Sequence, residues 1–201
     1  MRPSIGTRSV LYGAHCFFIH PWFVAWGWWW LYGFPWDPRL WVAFFVHDLG
    51  YLGKPNMDGP EGETHPILGA RIMAALFDWR DDGEMPVIAN VGRRQIFRRW
   101  GKFALYHSRF YARQHGAPPS RLCYADKMAI VLTPWWLYRW TAGLTGEIDE
   151  YMSASLNRGD GKHADEPIEW RRGRERWYYS MQGFLCTWIY ENEPRSREAS
   201  R

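Results

Sequence analysis

The sequence predicts one mostly α-helical domain, and three observations carry that expectation. Apolar residues recur at helical spacing through 9–32, 38–49, 66–78, 87–114, 121–141 and 168–190, while convincing strand alternation is scarce. The chain has 201 residues, enough for one sizeable core and too few for two ordinary domains. Apolar residues make up 47% and charged residues 23%, a globular balance, and the 15 tryptophans predict a bulky aromatic core.

Taken in order, the segment 9–32 contains "CFFIHPWFVAWGWWWLYGFPW", which is long enough to raise a membrane span. His20, two prolines and two glycines interrupt it and no second such segment follows, so a buried amphipathic helix pair is expected and no membrane span. Pro21 suits the first turn of a helix opening at His20. "GFPWDP" separates that helix from the next, and "GYLGKPNMDGPEGETHP" is a long Gly/Pro loop before a helix opening near Pro66. Periodicity through 87–114 predicts further helix. "GAPPS" breaks the chain again, with Ser120 placed to cap a helix that Pro134 limits. We read 1–152 as the core of the domain. Residues 153–201 then supply a polar loop, a C-terminal amphipathic helix and a frayed tail packed on the same domain.

Three widely spaced cysteines, Cys16, Cys123 and Cys186, form neither a disulfide framework nor a cysteine-based zinc site, and with no recognisable signal peptide they suit a reducing cytoplasm. The net charge is only +4, but 93–127 carries nine Lys and Arg residues against the single acid Asp126. A one-signed field of that kind suits an anionic ligand. No nucleic-acid-binding module is recognisable in the stretch, so a stable nucleic-acid complex is not expected.

The chemistry concentrates where "AFFVHDLGYLG" places His47 and Asp48 at the end of an apolar run. An unpaired carboxylate there would be costly by several kcal/mol, which a cation offsets. His20, His65, His107 and Asp126 also sit beside helical apolar residues, at spacings of 27, 18, 42 and 19 along the series His20, His47, His65, His107, Asp126. Imidazole and carboxylate are the ligands divalent transition metals take when no thiolate is offered.

The order H…HD…H…H…D resembles the HD superfamily of metal-dependent phosphohydrolases, in the variant with two additional histidines. "HPWFVA", "VHDLG", "HPILGARI" and "ADKMA" resemble that family's local contexts, over residues 20 to 126. The resemblance implies an all-α helical bundle and two divalent ions, of Mn, Fe, Co, Ni or Mg, held by His20, His47, Asp48, His65, His107 and Asp126. Asp48 would be the bridge. His15, five residues before His20, is the alternative first ligand, although Val24 and Ala25 fit the pattern that follows His20. His115 and His163 are expected to be exposed.

The implied activity is hydrolysis of a phosphoester or phosphoanhydride in a small phosphorylated substrate, with a nucleotide the leading candidate and a homo-oligomer admissible. Arg109, Lys127 and Lys54 are candidate phosphate clamps, with Arg113 a fourth. Asp58, Glu61 and Glu63 lie in a loop that could border the pocket, and Trp26, Trp28, Trp29 and Trp30 could stack a base but are expected in the core. "TGEIDEYM" reads as an acidic patch facing a partner subunit. The sequence departs from familiar members by having Tyr51 where many carry lysine, with Lys54 three residues further. It also lacks the Gly-Tyr-Pro block of cyclic di-GMP phosphodiesterases, which disfavours that substrate. The competing readings are a catalytically idle nucleotide-binding domain and a Trp-rich membrane-surface protein.

Overall fold

A computed structural model describes residues 3–79, 86–91, 93–156 and 173–194. The described chain is almost entirely helical and forms one domain with a distinct C-terminal helix. Helix α1 (Ile5–Tyr12) starts at Ser4, whose hydroxyl accepts from the Thr7 amide. Helix α2 (His20–Tyr32) has Pro21 in its first turn and ends at Gly33, whose φ of 83° lies in the region glycine favours. Helix α3 (Pro38–Val46) is capped by Asp37, which accepts from the Arg39 amide at 3.0 Å. A 3-10 turn, Leu49–Tyr51, follows, and the loop beyond it closes through a second such turn, Gly62–Thr64, into α4 (Pro66–Phe77).

The next segment corrects the sequence reading. Residues 87–91 and 93–97 are not helix but two antiparallel strands, β1 (Val87–Val91) and β2 (Arg93–Phe97), with Val87 opposite Phe97. Val87, Ile88, Val91 and Ile96 are β-branched, and Gly92 separates the two runs, a combination that favours a hairpin over a continued helix. Helix α5 (Arg99–Leu105) takes its N-terminal cap from a distance: the Asp78 carboxylate accepts from the amides of Arg98, Trp100 and Gly101. Helices α6 (Arg109–Gln114), α7 (Arg121–Leu132), α8 (Trp135–Thr145), α9 (Glu147–Leu156) and α10 (Arg174–Asn192) complete the chain. Ser120 stands at the cap position of α7, but its side chain makes no capping bond. Helix α9 runs to Leu156, past the point where the polar loop was expected to begin, and residues 157–172 and 195–201 lie outside the described residues.

The main core gathers α2, α3, α4, α5 and α7 around Val24, Phe44, Met73, Leu105 and Leu122. Helices α2 and α7 pack closest, and Gly27 permits it: a Cβ there would stand 2.5 Å from the Ala125 carbonyl oxygen. Helix α10 joins through Tyr178, whose hydroxyl donates to the carbonyls of Ile130 and Thr133, and through Gln182, whose amide donates to those of Ile130, Val131 and Thr133. These bonds satisfy carbonyls that the end of α7 leaves without helical partners.

The tryptophans of α2 also depart from expectation. Trp28 is buried, but Trp22, Trp26, Trp29 and Trp30 are exposed, because their spacing places them opposite the face that Val24, Ala25 and Trp28 present to the core. Among the described residues, no helix is long and apolar enough to cross a membrane.

Candidate metal centre

Five segments converge on one buried cluster. His20 is the first residue of α2, His47 closes α3 and Asp48 follows it, His65 precedes α4, His107 follows α5, and Asp126 sits in the middle of α7. All six are buried. Two motif glycines let the backbones approach. A Cβ at Gly50 would collide with the His65 carbonyl, and one at Gly69 would lie 2.8 Å from the Val46 carbonyl oxygen and 2.9 Å from the His47 Cα. The glycines of "VHDLG" and "HPILGA" are therefore what allow α4 to bring His65 against Asp48.

Local hydrogen bonds orient the imidazoles. The Nδ1–H groups of His47, His65 and His107 donate to the carbonyls of Phe44 (2.9 Å), Gly62 (2.7 Å) and Ala104 (2.5 Å). A carbonyl can only accept, so these bonds fix the tautomer and aim each Nε2 lone pair at the cluster. The Nε2 atoms of His65 and His107 then face one another at 3.0 Å. The His47 Nε2 and the Asp48 Oδ2 are buried 3.0 Å apart as an ion pair, yet neither makes a well-aligned hydrogen bond. Facing lone pairs and orphaned buried ligand atoms fit a bound cation.

The two Asp48 oxygens are divided between two sets of groups. Oδ2 lies 3.0 Å from His47 Nε2 and 3.4 Å from His20 Nε2, while Oδ1 lies 3.4 Å from His107 Nε2 and 3.6 Å from His65 Nε2. Asp126 completes the first set, its Oδ1 standing 3.1 Å from His20 Nε2. His20, His47, Asp48 and Asp126 form one group that could hold an ion, and Asp48, His65 and His107 form a second, with Asp48 common to both. This matches the HD pattern of a binuclear metal centre. Compared with known proteins, the chain matches no family model, no curated protein and no solved structure.

The electrostatics of the cluster follow from burial working against charge. Burial pushes the Asp48 carboxyl up, but the neighbouring imidazoles, His47 foremost, hold it well below the usual range. Burial likewise raises Asp126, and Lys127, 2.8 Å from its Oδ2, with His20 and His47 brings it well below. Burial lowers His47, but Asp48 and Asp126 overcome this and pull it up to about 10. His20 is raised in the same way, against its own burial, by Asp126 and Asp48. His65 goes the other way, held well below its ordinary value by burial and by His107 beside it. His20 and His47 thus hold a proton more readily than His65.

A cavity of about 100 Å³ opens over the centre. Asp48, His65, His107 and Asp126 reach it, together with Arg109, Lys127, Arg113, Asp58 and Glu63. The Arg109 guanidinium rests 5.2 Å from the Trp188 ring centroid, which braces it from α10. Lys54 is placed elsewhere: it donates to the Thr64 hydroxyl and does not line the cavity. Glu61, bonded by Asn56, also stays outside it, and Trp26, Trp28, Trp29 and Trp30 do not line it either. His115 is half-buried and outside the cluster, and His163 lies outside the described residues.

Three supports were not legible in the sequence. His15 is not in either ligand group; its Nδ1 lies 3.1 Å from Glu147 Oε2 and 2.9 Å from Ser9 Oγ. Glu147 is fully buried and also accepts from the Ser9 hydroxyl, the Thr145 hydroxyl and the Ala14 amide. Glu150 accepts from the amides of Met57 and Asp58, fixing the loop that borders the cavity. Two acids of "TGEIDEYM" thus face inward and organise the site, while Asp149 pairs with Arg174 of the same chain. Tyr51 is the third support, stacked on His65 with ring centroids 4.0 Å apart and planes 11° from parallel.

Proposed function

We propose that this chain is a metal-dependent phosphohydrolase acting on a small phosphorylated molecule. The observation that carries the reading is the division of the two Asp48 oxygens between two histidine-rich groups, beneath a cavity that Arg109 and Lys127 also line. In this reading His20, His47, Asp48 and Asp126 hold one divalent ion and Asp48, His65 and His107 the other, with histidine-rich ligation favouring Mn, Fe, Co or Ni over Mg. Two ions bound there would supply Lewis acidity, activating water and neutralising charge that builds on the phosphoryl oxygens.

The remaining steps belong to the chain's own side chains. Arg109, held against Trp188, offers a planar fork to a phosphoryl group, and Lys127 adds a second positive charge while its bond to Asp126 keeps it in place. Arg113 extends the same field at the cavity wall. Asp58 and Glu63, on the opposite loop, stand where a leaving group could take up a proton. Lys54 then serves to fix the loop through Thr64, outside the phosphate clamp. The cysteines, all free, fit a reducing cytoplasmic compartment.

The test is phosphate release from a panel of phosphorylated compounds, nucleotides among them, with added Mn²⁺, Fe²⁺, Co²⁺, Ni²⁺ or Mg²⁺, alongside Asp48→Ala. Hydrolysis lost in the variant is the expected result. Absence of turnover with every ion would refute the phosphohydrolase reading and leave a binding domain.

A further inference from the structure

The cavity over the HD centre adjoins a larger one of about 180 Å³. His15, Tyr51, Asp58, Arg109 and Lys127 line both, so the two meet at a ring of shared polar side chains. Beyond that ring the wall is apolar. Ile19 and Phe23 enter from the start of α2, Ile130 and Leu137 from α7 and α8, and Met181 and Leu185 from α10. Tyr138 and Trp177, both buried, add aromatic surface. Most of these residues lie outside 20–126, on helices the HD resemblance does not cover.

Two hydroxyls at this end are committed to backbone. Thr133 donates its hydroxyl to the Ala129 carbonyl at 2.8 Å, and Thr141 donates to that of Leu137 at 3.0 Å. Among the described lining residues there is no carboxamide, the side chain best suited to reading the edge of a nucleobase. A base placed here would leave donors and acceptors unpaired, each weakening affinity by roughly tenfold or more. An apolar group would gain from leaving water against the Ile19, Phe23, Ile130, Leu137, Met181 and Leu185 side chains.

We propose that this chamber takes the apolar organic group of the substrate, which is accordingly a phosphate ester of an apolar alcohol, with Arg109 and Lys127 at the ring holding its phosphate over the HD centre. The fate of the phosphate rests on the phosphohydrolase reading: water adds to phosphorus, the P–O ester bond breaks, and the alcohol leaves carrying a proton. The occupancy of the chamber rests on its own lining.

The test uses n-alkylphosphonates from methyl to octyl, whose C–P bond is not an ester, titrated into the full metal-loaded chain by calorimetry. The expected result is a dissociation constant falling about threefold to fourfold per methylene until the chamber is filled. Hexylphosphonate should bind more tightly than a nucleoside 5′-monophosphate. Met181→Trp, which fills the chamber, and Leu137→Glu, which charges its wall, should both flatten the dependence on chain length; circular dichroism checks that each is folded. Affinity independent of chain length in the wild-type chain, tighter binding of the nucleotide, or an unchanged slope in both folded variants overturns the proposal. Phosphate release from hexyl phosphate is measured in parallel. A steep chain-length dependence without release supports the chamber and defeats the phosphohydrolase reading, whereas release from nucleotides with no such dependence does the reverse.

Discussion

Gly27→Ala probes how helix packing sets the metal centre. The new Cβ would meet the Ala125 carbonyl oxygen at 2.5 Å, the Met128 Cβ at 3.1 Å and the Ala129 nitrogen at 3.2 Å. Two of these are backbone atoms of α7 and cannot rotate away, so α2 and α7 must separate by about 0.9 Å to restore ordinary contact of 3.4 Å. His20 begins α2, Asp126 lies on α7 next to Ala125, and their ligand atoms stand 3.1 Å apart. Metal–ligand distances tolerate only about ±0.2 Å, so the separation should weaken the ion held by His20, His47, Asp48 and Asp126. Overpacking costs about 1–3 kcal/mol, and the helix propensity of alanine returns only about 0.5–1 kcal/mol. At about 2–4 °C per kcal/mol for a chain of this size, Tm should fall by several degrees. Gly143→Ala in α8 and Gly183→Ala in α10 are the controls. Nothing lies within 4 Å of either added Cβ, so both should raise Tm slightly. Thermal melts with metal analysis of the same samples read the outcome. A Gly27→Ala protein that melts like wild type and keeps its full metal content would refute the link between this contact and the centre.

Other perturbations separate support from chemistry. Glu147→Ala removes the acceptor shared by the Ser9 and Thr145 hydroxyls and the Ala14 amide, so denaturant titration should show a loss of about 3 kcal/mol or more. Glu150→Ala frees the amides of Met57 and Asp58; limited proteolysis should cut the loop around them faster, with metal content unchanged. Arg109→Ala should raise KM for the phosphorylated substrate by about 10–100-fold while both ions remain bound, and an unaltered KM would remove Arg109 from the clamp. The pH dependence of metal binding has a definite sign. His47, pulled up to about 10, and His20, also raised, must lose a proton to bind an ion, so affinity at their group should fall about tenfold per pH unit and per proton as pH drops through roughly 9 to 6. His65 is held neutral and has no proton to release, so a chelating dye should capture the ion of the His20 and His47 group first on acidification. Simultaneous loss of both ions, or loss independent of pH, would contradict this.

The ligand cluster was legible because each member carries a local signal: a histidine or aspartate set beside apolar residues at a helix end or on a helix face, in a telling order. The hairpin was missed because Ile96, Trp100 and Phe103 continue a helical period across Phe97, and that period masked the β-branched runs on either side of Gly92. The tryptophans of α2 misled for a different reason. Hydrophobicity ranks a residue's preference for the interior but does not say which face of a helix finds a neighbour, and the core of α3, α4, α5 and α7 takes up the face of Val24, Ala25 and Trp28. Glu147 and Glu150 read as an acidic patch facing a partner subunit because their own partners, Ser9 and Met57, lie 138 and 93 residues away in the chain. Lys54 was a candidate clamp by nearness in sequence to Asp48, yet the turn that stacks Tyr51 on His65 carries it out to Thr64.

With one oxygen facing each ligand group, Asp48 would be shared by two ions. The most direct measurement is electron paramagnetic resonance of the chain titrated with Mn²⁺, read together with elemental analysis of the dialysed sample. About two Mn²⁺ per chain with the spectrum of a spin-coupled pair, converted by Asp48→Ala to uncoupled or lost ions, is the predicted result. A single ion per chain, or two that stay magnetically independent in the wild-type protein, would contradict it.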